Sequence, residues 1–123
     1  MRFPPPVPEL PVTDLQAAND FYRQKMGFSI DWTYQEWLSG ISRDDSRIIL
    51  RKRTEEEDRN GYSVLIWVNL NSPSEVDQLY NEWSGNGVPI AHDLETSDYN
   101  LRQFIAEDTD GNSIRVFHDL GTK

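Results

Sequence analysis

The chain has 123 residues, no cysteine, and 21 acidic against 12 basic side chains, which gives a formal net charge of −9. Without cysteine it forms neither a disulfide nor a thiolate metal site, and a strongly acidic chain is a poor partner for nucleic acid. No apolar run is long enough for a membrane span or leader, so the sequence predicts one domain over residues 1–123, in the cytoplasm and without a membrane partner.

The first half of the sequence has the pattern of a strand, a helix and three strands. The proline-rich residues 1–11 cannot begin a helix and predict an extended edge strand or arm. Thr13 and Gln16 have the spacing of a capping box, and the apolar periodicity after them predicts a helix over 14–26 that Gly27 ends. Strands are predicted at 28–34, 37–42 and 47–53.

The second half begins after a charged run, residues 54–61, which is predicted to be a solvated loop between the halves. Ser72, Pro73 and Glu75 have the pattern of a helix start, and the buried stripe of that helix includes Trp83. Strands are predicted at 62–70 before this helix, and at 88–92, 101–107 and 113–118 after it.

A short motif also recurs in the two halves. Phe21-Tyr22 is followed after four residues by Gly27, and Leu79-Tyr80 is followed at the same spacing by Gly85. A period of roughly 60 residues is typical of paired modules and too long for a solenoid repeat. The sequence therefore predicts an α+β fold with module 1 at about 6–53 and module 2 at about 62–120.

Two stretches of the chain resemble the vicinal-oxygen-chelate superfamily, which includes glyoxalase I, extradiol dioxygenases and the fosfomycin- and bleomycin-resistance proteins. One is residues 7–15 (VPELPVTDL), with Phe21-Tyr22 and Gly27-Phe28 after it. The other is residues 104–112 (FIAEDTDGN), where Thr109 replaces the proline usual in that turn. Within the superfamily, the bleomycin-resistance branch is the most similar, at residues 39–45, 66–68, 79–84 and 102–104.

The resemblance implies two βαβββ modules whose curved mixed sheets form a cleft, in a homodimer that exchanges its first strand. In the enzymes of the superfamily, His, Gln or Glu side chains from four strands hold a divalent metal ion. The corresponding positions of this chain are Val7, Ile49 or Leu50, Ser63 and Arg115, none of which is a usual ligand. The resemblance thus implies no metal, no other cofactor and no catalytic residue. It favours a small-molecule binder of the bleomycin-resistance type over a glyoxalase- or dioxygenase-type lyase or oxidoreductase.

Strand alternation predicts which side chains face a small organic ligand, because successive residues of a strand point to opposite faces. If Ser63 faces the cleft, Leu65 and Trp67 share its face, and Arg115 brings Phe117 with it. Flat rings with a few charges suit a planar ligand, and the net charge favours a cationic one. The ligand-binding candidates are Glu9, Trp32, Trp37, Leu38, Ser63, Leu65, Trp67, Tyr99, Asn100, Arg102, Arg115 and Phe117.

The resemblance places Leu38 and Asn100 where bleomycin-resistance proteins sandwich the drug's flat rings between aromatic side chains. Neither residue is aromatic, although Trp37 and Tyr99 are their immediate neighbours. A shift of one residue would align the aromatics but would turn each side chain to the other face of its strand. The sequence therefore predicts a binder of this type without predicting bleomycin as its ligand.

Overall fold

The computed structural model describes residues 1–121, and its contacts divide the chain into two units, residues 1–62 and a second unit that begins at Ser63. The first unit contains β1 (Glu9–Val12), α1 (Leu15–Gln24), β2 (Ser29–Tyr34), β3 (Leu38–Arg43), β4 (Ser46–Lys52) and α2 (Glu55–Asn60). The second contains β5 (Leu65–Asn69), α3 (Pro73–Gly85), β6 (Ile90–Thr96), β7 (Leu101–Glu107) and β8 (Ser113–Asp119). The predicted α+β fold, with the order βαβββ in each half, is confirmed. Within residues 1–121, no helix has both the length and the apolar character needed to span a membrane.

The sheet of the first unit has the strand order β1-β4-β3-β2. Its edge strand β1 runs parallel to β4, with Glu9 opposite Ile49, and the other two pairs are antiparallel. An edge position suits Pro11, because proline has no N–H to donate to a neighbouring strand. The extended edge strand predicted within residues 1–11 is therefore confirmed for residues 9–11, the first three residues of β1.

Helix α1 covers one face of this sheet. Tyr22 is 1% exposed and packs edge-on against Phe21 and Phe28, with ring centroids 5.8 and 5.7 Å apart. Beneath the helix, the Ser39 hydroxyl donates to Asn19 Oδ1 at 2.6 Å, so two buried polar groups satisfy each other. The covered face is thus a closed core.

The sheet of the second unit has the order β5-β8-β7-β6, and β5 runs parallel to β8. Helix α3 covers one face, where fully buried Phe104 meets Tyr80 and Trp83 at ring distances of 5.3 and 5.9 Å. Trp83 is 3% exposed, which confirms its predicted place in the core. Ile114 and Val116 are also buried, as the predicted alternation of β8 requires.

The turn between β7 and β8 is fastened to the segment before β5. Asp108 Oδ1 accepts the backbone N–H groups of Asp110 and Asn112 at 2.8 and 2.9 Å, and Oδ2 accepts Asn112 Nδ2 at 2.9 Å. Asn112 Oδ1 in turn accepts the backbone N–H of Val64 at 3.0 Å. Gly111 has φ of +81°, a conformation that favours glycine. The turn motif therefore has a structural role.

The prediction of a solvated loop over 54–61 is wrong, because Glu55–Asn60 form α2. Thr54 Oγ1 accepts the backbone N–H of Glu57 at 3.1 Å, and Glu57 Oε1 accepts the backbone N–H of Thr54 at 2.9 Å. This is a capping box, and Gly61 ends the helix with φ of +66°. The acidic run lies in the first turn, where negative charge stabilises a helix.

The predicted cap of α1 is also wrong. Asp14 caps the helix by accepting the backbone N–H of Ala17 at 3.0 Å. The Thr13 hydroxyl instead accepts a hydrogen bond from Arg53 Nη1 at 3.4 Å. Relative to the predicted segments, α1 is shorter at both ends, β5 is shorter and β6 extends further along the chain.

Candidate functional site

Each sheet has a second face, opposite the face that α1 or α3 covers. Side chains opposite each other in a ladder share a face, so the register defines the two surfaces. Face A of the first unit carries Glu9, Trp32, Tyr34, Leu38, Gly40, Ile49 and Arg51. Face B of the second unit carries Leu65, Trp67, His92, Glu95, Gln103, Ile105, Arg115 and Phe117.

On face A, the indole of Trp32 fills the space over Gly40. A Cβ built on Gly40 would lie 2.2 Å from Trp32 Nε1 and 2.4 Å from Cε2. Only a residue without a side chain is compatible with this approach. Trp32 remains 46% exposed, so its other side is available for contact.

Arg51 on face A is held by two carboxylates. Its Nη1 and Nη2 donate to the two oxygens of Glu57 at 2.9 and 2.8 Å, and its Nε donates to Glu9 Oε2 at 3.0 Å. These bonds raise the pKa of Arg51 above its usual range. The hydrogen bonds from Arg51, followed by that from the backbone of Thr54, lower the pKa of Glu57 to about 2. Glu9 is therefore engaged in a fixed ion pair. An open depression of about 380 Å³ beside the pair is lined by Arg51, Glu56, Glu57, Asn60 and Tyr62.

The Glu57 ion pair predicts a pH dependence of stability. The pKa of Glu57 falls from 4.5 to about 2 on folding, so its contribution is complete above about pH 4.5 and is lost as the pH falls towards 2. Urea unfolding of the wild type and Glu57→Gln should therefore give a difference in unfolding free energy that is largest near neutrality and shrinks below pH 4.5. Glu55→Gln removes the same charge from the same helical turn and should show no such convergence. A Glu57→Gln difference that stays constant from pH 6 to 2.5 would contradict the assignment.

Face B carries an exposed aromatic pair beside a guanidinium group. Trp67 is 54% exposed and packs edge-to-face with Phe117 at a centroid distance of 5.3 Å. Arg115 Cζ lies 4.6 Å from the centroid of the Trp67 ring, within the range of a cation–π contact. Arg115 Nη1 also donates to Gln103 Oε1 at 2.6 Å. The flat apolar surface and the positive charge are therefore adjacent.

A chain of hydrogen bonds fixes the polar part of face B. Gln103 is 1% exposed, and its Nε2 donates to the Tyr99 hydroxyl at 3.0 Å and to Glu95 Oε2 at 3.3 Å. His92 Nε2 is hydrogen-bonded to the same Glu95 oxygen. The bond to His92, followed by that from Gln103, holds the pKa of Glu95 below its usual range. The chain runs from His92 through Glu95 and Gln103 to Arg115.

The structure brings five of the predicted ligand-binding residues together in the second unit. Four lie on face B, and Tyr99 contacts that face through Gln103. Ser63 precedes β5 and lies beside the turn between β7 and β8, where a Cβ built on Gly111 would be 3.8 Å from its Cβ. The five are Leu65, Trp67, Tyr99, Arg115 and Phe117.

Two candidates of the second unit are held elsewhere. Arg102 Nε donates to Asp77 Oδ1 on α3 at 2.7 Å, which places its side chain on the helix-covered face. Asn100 lies in the turn before β7 with φ of +67°, and its Nδ2 donates to the carbonyl oxygen of Gly121 at 2.8 Å. Arg102 is therefore directed away from face B, and the Asn100 side chain is bound to the backbone that follows β8.

The first unit contains the remaining candidates. Glu9, Trp32 and Leu38 lie on face A. Trp37 ends the turn between β2 and β3, where its backbone N–H donates to the Tyr34 carbonyl at 3.1 Å. The ammonium of Lys52 lies 5.2 Å from the Trp37 ring centroid, and Trp37 is 46% exposed.

Sequence reasoning missed His92, Glu95 and Gln103. The alternation of β7 offered a signal for Gln103: Phe104 and Ala106 are apolar core residues, and Gln103 alternates with them, so it faces the opposite side of the sheet. No comparable signal existed for His92 and Glu95, since irregularities in the pairing of β6 interrupt the two-residue period.

The residues at the family's metal positions do not fit a divalent ion. Leu50 is fully buried, whereas Ile49 lies opposite Glu9 on face A. Ile49 is therefore the residue at the fourth-strand position, and its side chain has no donor atom for a metal. Arg115 places a cation at the last-strand position, where it repels a metal ion. Within residues 1–121, no group of three His, Asp or Glu side chains is arranged to hold a metal ion.

Comparisons with known proteins agree with this architecture. A family model described as "Glyoxalase/Bleomycin resistance protein/Dioxygenase superfamily" matches residues 6–116. A glyoxalase/bleomycin resistance protein/dioxygenase from Nocardioides is 19% identical, with a TM-score of 0.77 over 99% of this chain and 89% of that one. The comparison with curated proteins gave no match.

Two further solved structures differ in what their names describe. Lactoylglutathione lyase from Agrobacterium tumefaciens is 20% identical, with a TM-score of 0.77 over 98% of this chain and 100% of that one. A bleomycin-binding protein complexed with bleomycin is 18% identical, with a TM-score of 0.78 over 95% of this chain and 99% of that one. At these identities the likeness shows the fold alone. Because the family model covers residues 6–116, the chain belongs to the glyoxalase/bleomycin resistance protein/dioxygenase superfamily.

Proposed function

We propose that this chain is a metal-free binding protein that sequesters a planar organic molecule on face B. The observation that carries the proposal is Trp67, which is 54% exposed and paired with Phe117 on a face whose polar groups are already ordered. Small-molecule sites combine flat apolar surface with a few fixed polar groups, and an ordered surface loses little entropy on binding. Ligand binding would account for the exposure of Trp67, which packing in the core does not explain.

The structure of a bleomycin-binding protein complexed with bleomycin supports this type of function, because that protein has a similar fold and is described as a binding protein. As the resemblance implies, we further propose a homodimer that exchanges the segment leading into β1. The net charge of −9 attracts cations at long range, whereas Arg115 places a positive charge on face B itself, so the contact surface and the overall field favour ligands of opposite sign.

A lyase or oxidoreductase is the second candidate, and the fold shared with lactoylglutathione lyase favours it. The side chains at the corresponding metal-ligand positions argue against an enzyme of this type, because Ile49 and Arg115 stand where the resemblance implies metal ligands. Elemental analysis of protein purified without chelator separates the two candidates. Stoichiometric zinc, nickel, manganese or iron would favour the enzyme and contradict a metal-free binder.

The binding proposal is tested by calorimetric titration with metal-free bleomycin and with naphthalene-2-carboxamide, a neutral planar probe. We expect measurable binding of at least one of them, and Trp67→Ala should weaken it by about tenfold or more because the stacking surface is lost. Tyr62→Ala is the matched control, since Tyr62 is 48% exposed and belongs to the first unit. Equal affinity of the wild type and Trp67→Ala would contradict the use of face B.

A further inference from the structure

Arg115 forms no direct ion pair with a carboxylate of the described residues. Arg51, Arg53 and Arg102 each have a carboxylate oxygen within 3.8 Å of a guanidinium nitrogen. Among residues 1–121, no carboxylate lies within 4.0 Å of the Arg115 nitrogens, and its hydrogen-bond acceptor is the neutral amide oxygen of Gln103. Glu95 lies on the same face and interacts with the charge of Arg115, but it is joined to Arg115 only through Gln103. Face B therefore carries a cation without a direct ion-pair partner in the described chain.

The surroundings of Arg115 make this arrangement costly. Strand β8 lies between β5 and β7, so Arg115 stands in the interior of the sheet, flanked by Trp67 and Ile105. Its side chain is partly buried, and Nε is buried with no hydrogen-bond partner within residues 1–121. A buried donor without an acceptor and a partly desolvated charge both oppose folding.

The same contacts hold the guanidinium in place without neutralising it. Gln103 cannot turn its amide around freely, because its Nε2 already donates to Tyr99 and Glu95 while its Oε1 accepts from Arg115. The Trp67 ring also packs against the guanidinium, with Arg115 Cζ 4.6 Å from the ring centroid. Nη1 donates to Gln103 and Nε is buried, so Nη2 is the nitrogen that can donate to an oxyanion placed next to the exposed ring.

We propose that face B binds an aromatic carboxylate, with the ring against Trp67 and Phe117 and the carboxylate on Arg115. This inference rests on the proposed function and names the class of ligand for the same surface. Glu95 is the competing group, since it could attract a cation. However, one of its oxygens already accepts hydrogen bonds from both Gln103 and His92, so less of its capacity remains for a ligand.

The test compares three probes that share one ring system and differ in charge: naphthalene-2-carboxylate, naphthalene-2-carboxamide and 2-naphthylmethylammonium. Calorimetric titration of the wild type should show the carboxylate binding about tenfold or more tighter than the amide, a gain typical of a charge-assisted hydrogen bond. The preference should hold although the net charge of −9 repels an anion. This comparison needs no variant, so it remains valid if a substitution prevents folding.

Arg115→Gln should bring the affinities for the carboxylate and the amide to within about twofold of each other, so the readout is their ratio and not the affinity for either probe. Arg59→Gln is the matched control, because it removes the same charge from an exposed position on α2. Tightest binding of the ammonium probe, or a carboxylate preference that survives Arg115→Gln, would overturn the inference while leaving face B as a ring-binding surface. If no probe shows binding that depends on Trp67, the proposed function fails as well.

Discussion

Replacing Asn112 with alanine is expected to lower the free energy of unfolding by about 3 kcal/mol. Asn112 is fully buried, and its side chain joins Asp108 of the β7–β8 turn to the backbone of Val64 before β5. Alanine keeps the backbone bond to Asp108 but removes the acceptor of the Val64 N–H and the amide donor to the Asp108 carboxylate. A donor left without its acceptor costs about 1–3 kcal/mol, and the lost bond to a charged group adds to this, so the loss exceeds that of an ordinary hydrogen bond.

Urea unfolding at neutral pH measures this loss, with the midpoint compared at constant slope. Thr109→Ala is the control, because Thr109 is exposed in the same turn and should change stability by less than about 0.5 kcal/mol. A loss below about 1 kcal/mol for Asn112→Ala would mean that water replaces the side chain in these bonds.

The turn shows why much of the fold was accessible from the sequence. The spacing of Asp108, Gly111 and Asn112 reflects local hydrogen bonds, so a short motif contains most of the information that specifies it. Strand alternation was equally direct in β5 and β8, where Ile114 and Val116 face the core and Arg115 does not. These two patterns depend on near neighbours in the chain and were read correctly for that reason.

Helix α2 shows a failure of a different kind. The capping-box spacing of Thr54 and Glu57 and the following Gly61 were present in the sequence, but the acidic run was interpreted as a sign of solvated loop. A run of like charges disfavours compact structure in a long polar segment, but negative charge stabilises the first turn of a helix. In addition, Arg51 contacts Glu57 from β4, and that pairing follows from the fold and not from local sequence.

The polar chain of face B was beyond sequence reasoning for a physical reason. Glu95 is the direct partner of Gln103 in the β6–β7 ladder, and Tyr99 reaches Gln103 from the connecting turn, but the register of β6 is interrupted between Ile90 and Glu95. A two-residue period cannot be extended across such irregularities. The alternation of residues along β5 and β8 was enough to identify Trp67 and Phe117 as candidates. The groups that orient Arg115 could be identified only from the observed register.

Gly40→Ala is the second substitution with a large expected effect, a loss of about 1–3 kcal/mol in unfolding free energy. The new methyl group would stand 2.2 Å from Trp32 Nε1, well inside contact distance, so the indole must leave its place on face A. Trp32 is 46% exposed and can turn into solvent, which places the main cost in lost packing and not in backbone distortion.

The displaced indole gives this prediction a second readout, because a tryptophan moved into water shifts its fluorescence emission to longer wavelength. Gly85→Ala is the matched control: a Cβ there meets nothing within 4 Å, and Gly85 lies at the end of α3, where alanine favours the helix. We therefore expect Gly85→Ala to be neutral or slightly stabilising, with unchanged emission. A Gly40→Ala protein with wild-type stability and emission would show that Trp32 does not occupy the space over Gly40, and that face A is more open at its centre than the register of β2 and β3 implies.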